Sequence, residues 1–201
     1  MNWLAHVFLS EPNVEFRLGN LLADIVRGEQ RAGMSADFLR GAQRHQAIDS
    51  FTDSHPVVRR SRARIGPEQR RFSGILVDVF YDYFLATHWD EYSSVPLDTF
   101  TAGFYADIDS CPIELPEQAR MVVDRIVRRD LLGSYRRVEG IERALRGLSM
   151  RLSARWRREF TLEHGVRDLL ARQEDFAADF AEFFPALQAH VGQSRRIEPS
   201  V

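Results

Sequence analysis

The chain predicts an all-α, single-domain irregular helical bundle, and three observations carry that expectation. Apolar residues recur at helical spacing through almost the whole length. Nothing of useful length alternates with the two-residue period of a half-buried strand. The 201 residues, 44% hydrophobic and 28% charged, supply one core and fall short of two full domains. The domain is expected over residues 1–192, followed by a polar tail at 193–201.

The elements follow from punctuation and periodicity. Residues 2–9 form a short opening helix, and Phe16 to Val26 a second that stops near Gly28. Ser35 precedes a third, carrying Phe38, Ala42, His45, Ile48, Asp49 and Thr52, which closes before Pro56; that proline opens the next helix. After Pro67, the apolar positions Phe72, Ile75, Leu76, Val79, Phe80, Tyr83 and Phe84 are dense enough for a central helix buried on most of its circumference. Further helices are read at Leu97 to Ile108, Pro116 to Val127 and Val138 to Leu152. From Leu162 to Leu187 one long apolar face is expected, with Pro185 kinking or ending it. Phe183 and Phe184 on that face read as core.

Composition narrows the function. A net charge of −2 argues against a surface tuned for nucleic acid. All 27 basic residues are arginine, a feature best explained by genome composition, although arginine also suits bidentate phosphate recognition. The lone Cys111 excludes an internal disulfide and a cysteine-based zinc site, and fits the cytoplasm. No apolar run reaches the roughly 20 residues needed to span a bilayer, and no export signal opens the chain.

Chemistry concentrates in the first ninety residues. His45, Asp49 and Asp53 stand at i, i+4 and i+8, which drifts only about 80° around a helix of 3.6 residues per turn. Asp53, two residues before His55-Pro56, reads equally well as a turn or cap. Asp78 and Asp82 lie inside the most hydrophobic helix, where something must neutralise them; salt bridges to Arg70 or Arg71 compete with a metal. Asn20, Asp24 and Arg27 share a face, with two bland alternatives: Asn20 caps that helix, and Asp24 simply pairs with Arg27. His6 stands alone on an apolar stretch and His88 near a helix end. Buried carboxylates and histidines drawn from several helices are most simply reconciled by a divalent cation. Phosphate loops, dinucleotide fingerprints, nucleophile elbows and the paired-histidine zinc helix are all missing. Two arginine-rich regions, Arg59 to Arg71 and Arg151 to Arg158, are solvated faces unless one lies beside the carboxylates, where it would form a positive rim for an acidic partner.

The N-terminal motifs, Met1-Asn2-Trp3-Leu4-Ala5-His6, Gly19 to Gly28, His45-x2-Ile48-Asp49-x2-Thr52-Asp53 and Asp78-x3-Asp82-x-Phe84-Leu85-x2-His88-Trp89, resemble those of the acyl carrier protein phosphodiesterase family in order and spacing. The C-terminal half matches that family in length and helical character. The resemblance implies a cytoplasmic, HD-like helical enzyme that removes 4'-phosphopantetheine from holo acyl carrier protein, an acidic protein substrate, and needs Mn2+ or Mg2+. No His-Asp dipeptide is present, so the usual ligand set of HD phosphohydrolases is not transferred. Combining placement and resemblance, Asp24, His45, Asp49 and Asp78 are the expected metal ligands, with His6 and Asp82 next. Asp24, His45 and Asp49 are also expected to serve catalysis, and Arg27 to hold a phosphoryl oxygen. Two alternatives stand: a phosphohydrolase acting on a nucleotide or other small phosphodiester, and a non-enzymatic helical interaction module.

Overall fold

The computed structural model describes the backbone of residues 1–197 and the side chains of residues 1–192. Among the described residues there are thirteen α-helices and no strand. They are α1 (Trp3–Phe8), α2 (Val14–Leu22), α3 (Glu29–Ala32), α4 (Ala36–Ser54), α5 (Pro56–Arg64), α6 (Ser73–Thr87), α7 (Trp89–Tyr92), α8 (Leu97–Ser110), α9 (Glu117–Arg128), α10 (Leu131–Ser134), α11 (Val138–Trp156), α12 (Val166–Ala171) and α13 (Gln173–Ile197). None is long and apolar enough to cross a membrane among the described residues. The tail expected from residue 193 begins while α13 still continues, and residues 198–201 lie outside the described ones.

The central helix is α6, with Leu76, Val77, Val79, Phe80, Tyr81, Phe84 and Leu85 all buried. Against it α13 lays Phe176, Phe180, Phe183 and Phe184, and the rings of Phe80 and Phe176 meet edge-on at 5.4 Å. Burying each such side chain contributes roughly 1.5–3 kcal/mol, which makes this pair of helices the main apolar seam. Phe183 and Phe184 are thus core, as their spacing suggested.

Two boundaries differ from the sequence reading. The second helix stops at Leu22, not Val26; Gly28 follows with a φ of 56°, a left-handed turn that suits glycine. The expected long C-terminal face is broken into a 3₁₀ turn at Leu162–Gly165, α12 and α13. Each piece buries its apolar residues in the same core, so periodicity cannot register the breaks. Pro185 does not end α13, although its missing N–H and ring cost about 3 kcal/mol in a helix interior. Phe183, Phe184, Leu187 and Val191, buried on both sides of it, carry the helix across.

Two helices meet at backbone distance. A Cβ on Gly19 of α2 would lie 2.0 Å from the Phe38 carbonyl oxygen, and one on Gly41 of α4 would lie 2.0 Å from that of Phe16. Only glycine permits this approach, and it brings Asn20 against His45.

The first arginine region is structural. Asp179 of α13 is fully buried and accepts from Arg60 Nε at 2.7 Å, Ser61 Oγ at 2.7 Å and Arg64 Nε at 2.9 Å, which pins α13 to α5. Burial alone would raise the pKa of this carboxyl, but Arg64, Ser61 and Arg60 outweigh it and hold it below its ordinary value. A group depressed in the folded state stabilises above its unfolded pKa of about 3.9 and loses that contribution as pH falls through the folded value. Replacing Asp179 with Asn is therefore expected to cost ~3 kcal/mol at neutral pH, typical of a broken buried pair. The deficit should shrink below about pH 4, a trend that thermal melts of both proteins at pH 7 and pH 3 would show.

Candidate metal centre

Five of the six expected ligands converge at one end of a cavity of about 390 Å³ lined by α1, α2, α4, α6, α9 and α11: His6, Asp24, His45, Asp49 and Asp78. The two imidazoles stack at 4.1 Å between ring centres. His6, His45 and Asp49 each offer a ligand atom within 4.8 Å of the others, a spacing that one cation can bridge.

Asn20 sets this arrangement. Its side-chain nitrogen donates to the His6 carbonyl at 2.8 Å and to Ser10 Oγ at 2.9 Å, which fixes its Oδ1 toward His6 Nδ1, also at 2.8 Å. That nitrogen must therefore carry the proton and donate. His45 Nδ1 faces the Asn20 backbone carbonyl at 2.8 Å and is likewise the donor. One residue thus orients both rings, and both leave Nε2 turned to the cavity end. A carbonyl or amide behind each ring is what histidine ligands of metals require.

The Nε2 atoms then face only acceptors. His6 Nε2 lies 3.3 Å from Asp49 Oδ1 and 3.2 Å from the Met1 carbonyl; His45 Nε2 lies 3.1 Å from Asp49 Oδ2 and 3.6 Å from Asp24 Oδ2. A lone pair aimed at oxygen is repulsive unless a proton or a cation stands between them. For His6, burial pushes the pKa down, against protonation. For His45, burial also works downward, but Asp24 and Asp49 outweigh it and raise the pKa to about 9. Asp49 is held far below the carboxylate range: burial would raise it, but His45, His6 and the Met1 ammonium prevail. Asp24 falls to about 2, chiefly through His45. The donor set, two neutral-capable imidazoles and ionised carboxylates, fits a divalent cation.

Other predicted residues fall elsewhere. Asp82 is wholly buried and accepts from Leu4 N at 2.8 Å and Ala5 N at 3.1 Å, so it satisfies the orphan amides opening α1. Burial, offset by those donors, raises its pKa to about 7. Its role is to dock α1 on α6, which places His6. Asp78 has neither Arg70 nor Arg71 beside it; the Met1 ammonium stands 3.2 Å from Asp78 and 3.4 Å from Asp49. Burial pushes Asp78 upward. Arg27 is exposed, pairs with Asp24 and does not line the cavity. Asp53 pairs with Arg62, and His88 Nδ1 meets the Phe84 carbonyl near the end of α6. The α2 cap is Asn13, not Asn20. Sequence reasoning missed Asn20 as the anchor of both rings, because one residue at one position gives no spacing signal. It also missed the cavity's arginines, Arg125, Arg129 and Arg143, and flagged only Arg151 of that set. Arg151 lies over the Trp3 ring at 5.5 Å; burial, with the like charge of Arg125, lowers its pKa.

Since Asn20 holds the rings, Asn20→Ala is expected to weaken Mn2+ binding by about 10–100-fold, the usual cost of losing a group behind a ligand. Titration calorimetry with Mn2+ reads this directly.

Fold and site together define the class: an all-helical protein with a histidine–carboxylate centre lining a cavity. Comparison with known proteins supplies the particular family. The acyl carrier protein phosphodiesterase family matches residues 1–187, which extends the N-terminal resemblance through the C-terminal half. Similar proteins named acyl carrier protein phosphodiesterase occur in Salmonella dublin, Salmonella agona and Salmonella newport, each 31% identical over 194 residues, or 96% of this chain and 98% of theirs. No solved structure matches the chain. The chain belongs to the acyl carrier protein phosphodiesterase family.

Proposed function

We propose that this protein is a cytoplasmic hydrolase that cuts the phosphodiester between serine and 4'-phosphopantetheine in holo acyl carrier protein, yielding apo carrier and 4'-phosphopantetheine, with Mn2+ or Mg2+ as cofactor. The observation that carries the reading is the convergence of both Nε2 atoms on Asp49 in the lining of a cavity, in a chain that belongs to this family. His6, His45 and Asp49 would hold the ion, with Asp24 and Asp78 flanking them. Bound there, a divalent ion lowers the pKa of water and neutralises phosphodiester charge.

The chain's own residues do the rest. Asn20 keeps each imidazole with its Nδ1 protonated and its Nε2 available. Asp82 locks the start of α1, so His6 loses little freedom when it engages a ligand. Asp24, at the open edge, and Asp78, from α6, are the carboxylates placed to take a proton from an attacking water. Trp3, Leu21, Ile25 and Ile75 give the cavity an apolar wall suited to the uncharged stretch of the prosthetic arm.

Mass spectrometry of purified holo carrier protein, incubated with the enzyme in Mn2+ or in EDTA, tests the reading. Loss of the phosphopantetheine mass in Mn2+ alone supports it. An intact carrier beside metal-loaded enzyme overturns it and moves the weight to a small phosphodiester or to a binding module.

A further inference from the structure

Several arginines elsewhere have carboxylate partners, among them Arg17, Arg27, Arg40, Arg60, Arg62 and Arg64. The cavity gathers four that have none: Arg125 reaches it from α9, Arg129 from the residue that ends α9, and Arg143 and Arg151 from α11, and among the described residues none of the four has a carboxylate partner. On α11, Arg143, Gly147 and Arg151 lie at i, i+4 and i+8 and share one face; on α9, Val122 and Arg125 lie at i and i+3, and Arg129 ends that helix, so cations from both segments line one opening. Four like charges gathered without an ion-pair partner repel one another, and the fold keeps them together beside a centre proposed to act on a phosphodiester.

The rim also carries exposed apolar side chains. Met150 lines the cavity yet is 61% exposed, and Met121, one turn before Arg125 on α9, is 65% exposed. Arg129 and Arg143 are exposed as well. A small ligand seated inside the cavity would leave all of these uncovered. A protein surface presenting carboxylates around an apolar spot would cover them, and thioethers adapt readily to such a partner.

We propose that Arg125, Arg129, Arg143 and Arg151, with Met150 among them, form the docking surface for an acidic face of the protein substrate. Resting on the function proposed above, this assigns the partner's grip to the arginines of α11 and of the end of α9. Carboxylates of the carrier pair with the arginines while its prosthetic arm enters the cavity and brings the phosphodiester to the centre. Rim charges of this kind act on encounter and orientation, and salt weakens them.

The test is the double variant Arg129→Glu/Arg143→Glu, with Arg129→Gln/Arg143→Gln as the milder pair; both sites are exposed. With holo carrier protein, KM is expected to rise about tenfold or more in the charge reversal and less in the neutral pair. The kcat at saturation should stay within about twofold, and the dependence of KM on salt should flatten. An unmoved KM in both variants would overturn the proposal, since the arginines would then be a solvated face. So would a fall in kcat at constant KM, which places them at the reacting phosphate. Equal losses of affinity for 5'-AMP and for the carrier would also overturn it, in favour of a small-anion site. Titration of holo carrier into wild-type and variant enzyme in EDTA reads docking without turnover. Arginine-dependent binding there, with no cleavage in Mn2+, would leave the docking surface standing while removing the proposed reaction.

Discussion

Asp49→Asn is expected to abolish turnover, by ~10³-fold or more, equivalent to about 4 kcal/mol of barrier. No other side chain serves the centre so fully. Asp49 Oδ1 faces His6 Nε2 and the Met1 ammonium, and Oδ2 faces His45 Nε2, so one carboxylate joins three of the centre's nitrogens. Asparagine keeps the shape but removes the charge and replaces one oxygen with a donor that repels a cation. Mn2+ affinity should fall with activity, and the far-UV circular dichroism of α4 and its neighbours should persist, since Asp49 is partly exposed and carries no packing. Titration with Mn2+, a carrier-protein assay and a dichroism spectrum on the same preparation separate these effects. A variant that folds, binds Mn2+ as tightly as the parent and still turns over would show that the centre lies elsewhere.

How much of this was legible before the structure depends on how far each signal travels along the chain. His45 and Asp49 share one helix at i and i+4, so spacing alone paired them, and the structure places their facing atoms 3.1 Å apart. Asp53 continues the same spacing, yet it pairs with Arg62, because α4 ends at Ser54 and the chain turns away into α5. Asp82 was read as a charge in need of a cation, and its partners are amides 77 and 78 residues away. A backbone donor has no letter in a sequence, so a long-range cap is invisible there. The arginine surface failed for a related reason. Counting charges favoured the dense runs, but Arg60, Arg62 and Arg64 are consumed by Asp179, Asp175 and Asp53. The cavity's four arginines are scattered singly over α11 and the end of α9, which only tertiary packing brings together. Helix existence, by contrast, was well marked, because each helix advertises its buried face locally. Breaks that leave the face continuous, as at Arg172 between α12 and α13, escaped notice, as did the single-turn helices α3, α7 and α10, too short to show a period.

Gly147→Phe should separate the cavity's role from the protein's stability. Gly147 sits within α11 and lines the cavity, and a Cβ built there meets nothing within 4 Å. Glycine inside a helix costs roughly 0.5–1 kcal/mol relative to alanine, so a site with free space that retains it gives up stability for room. Phenylalanine here adds bulk to the cavity lining, at a position where the first added carbon meets nothing. The melting temperature is expected to hold or rise, while kcat/KM for holo carrier falls by ~10²-fold, about 2.7 kcal/mol. Mn2+ affinity should be retained, because the substitution lies on α11 and the ligands on α1 and α4. Gly103 supplies the control: it too is helical with nothing within 4 Å of an added Cβ, but it lies on α8 and does not line the cavity. If Gly103→Phe and Gly147→Phe lose activity equally, the loss is a general effect of bulk on the fold. If only Gly147→Phe loses it, the space beside α11 is where the substrate's arm must pass to reach the histidines.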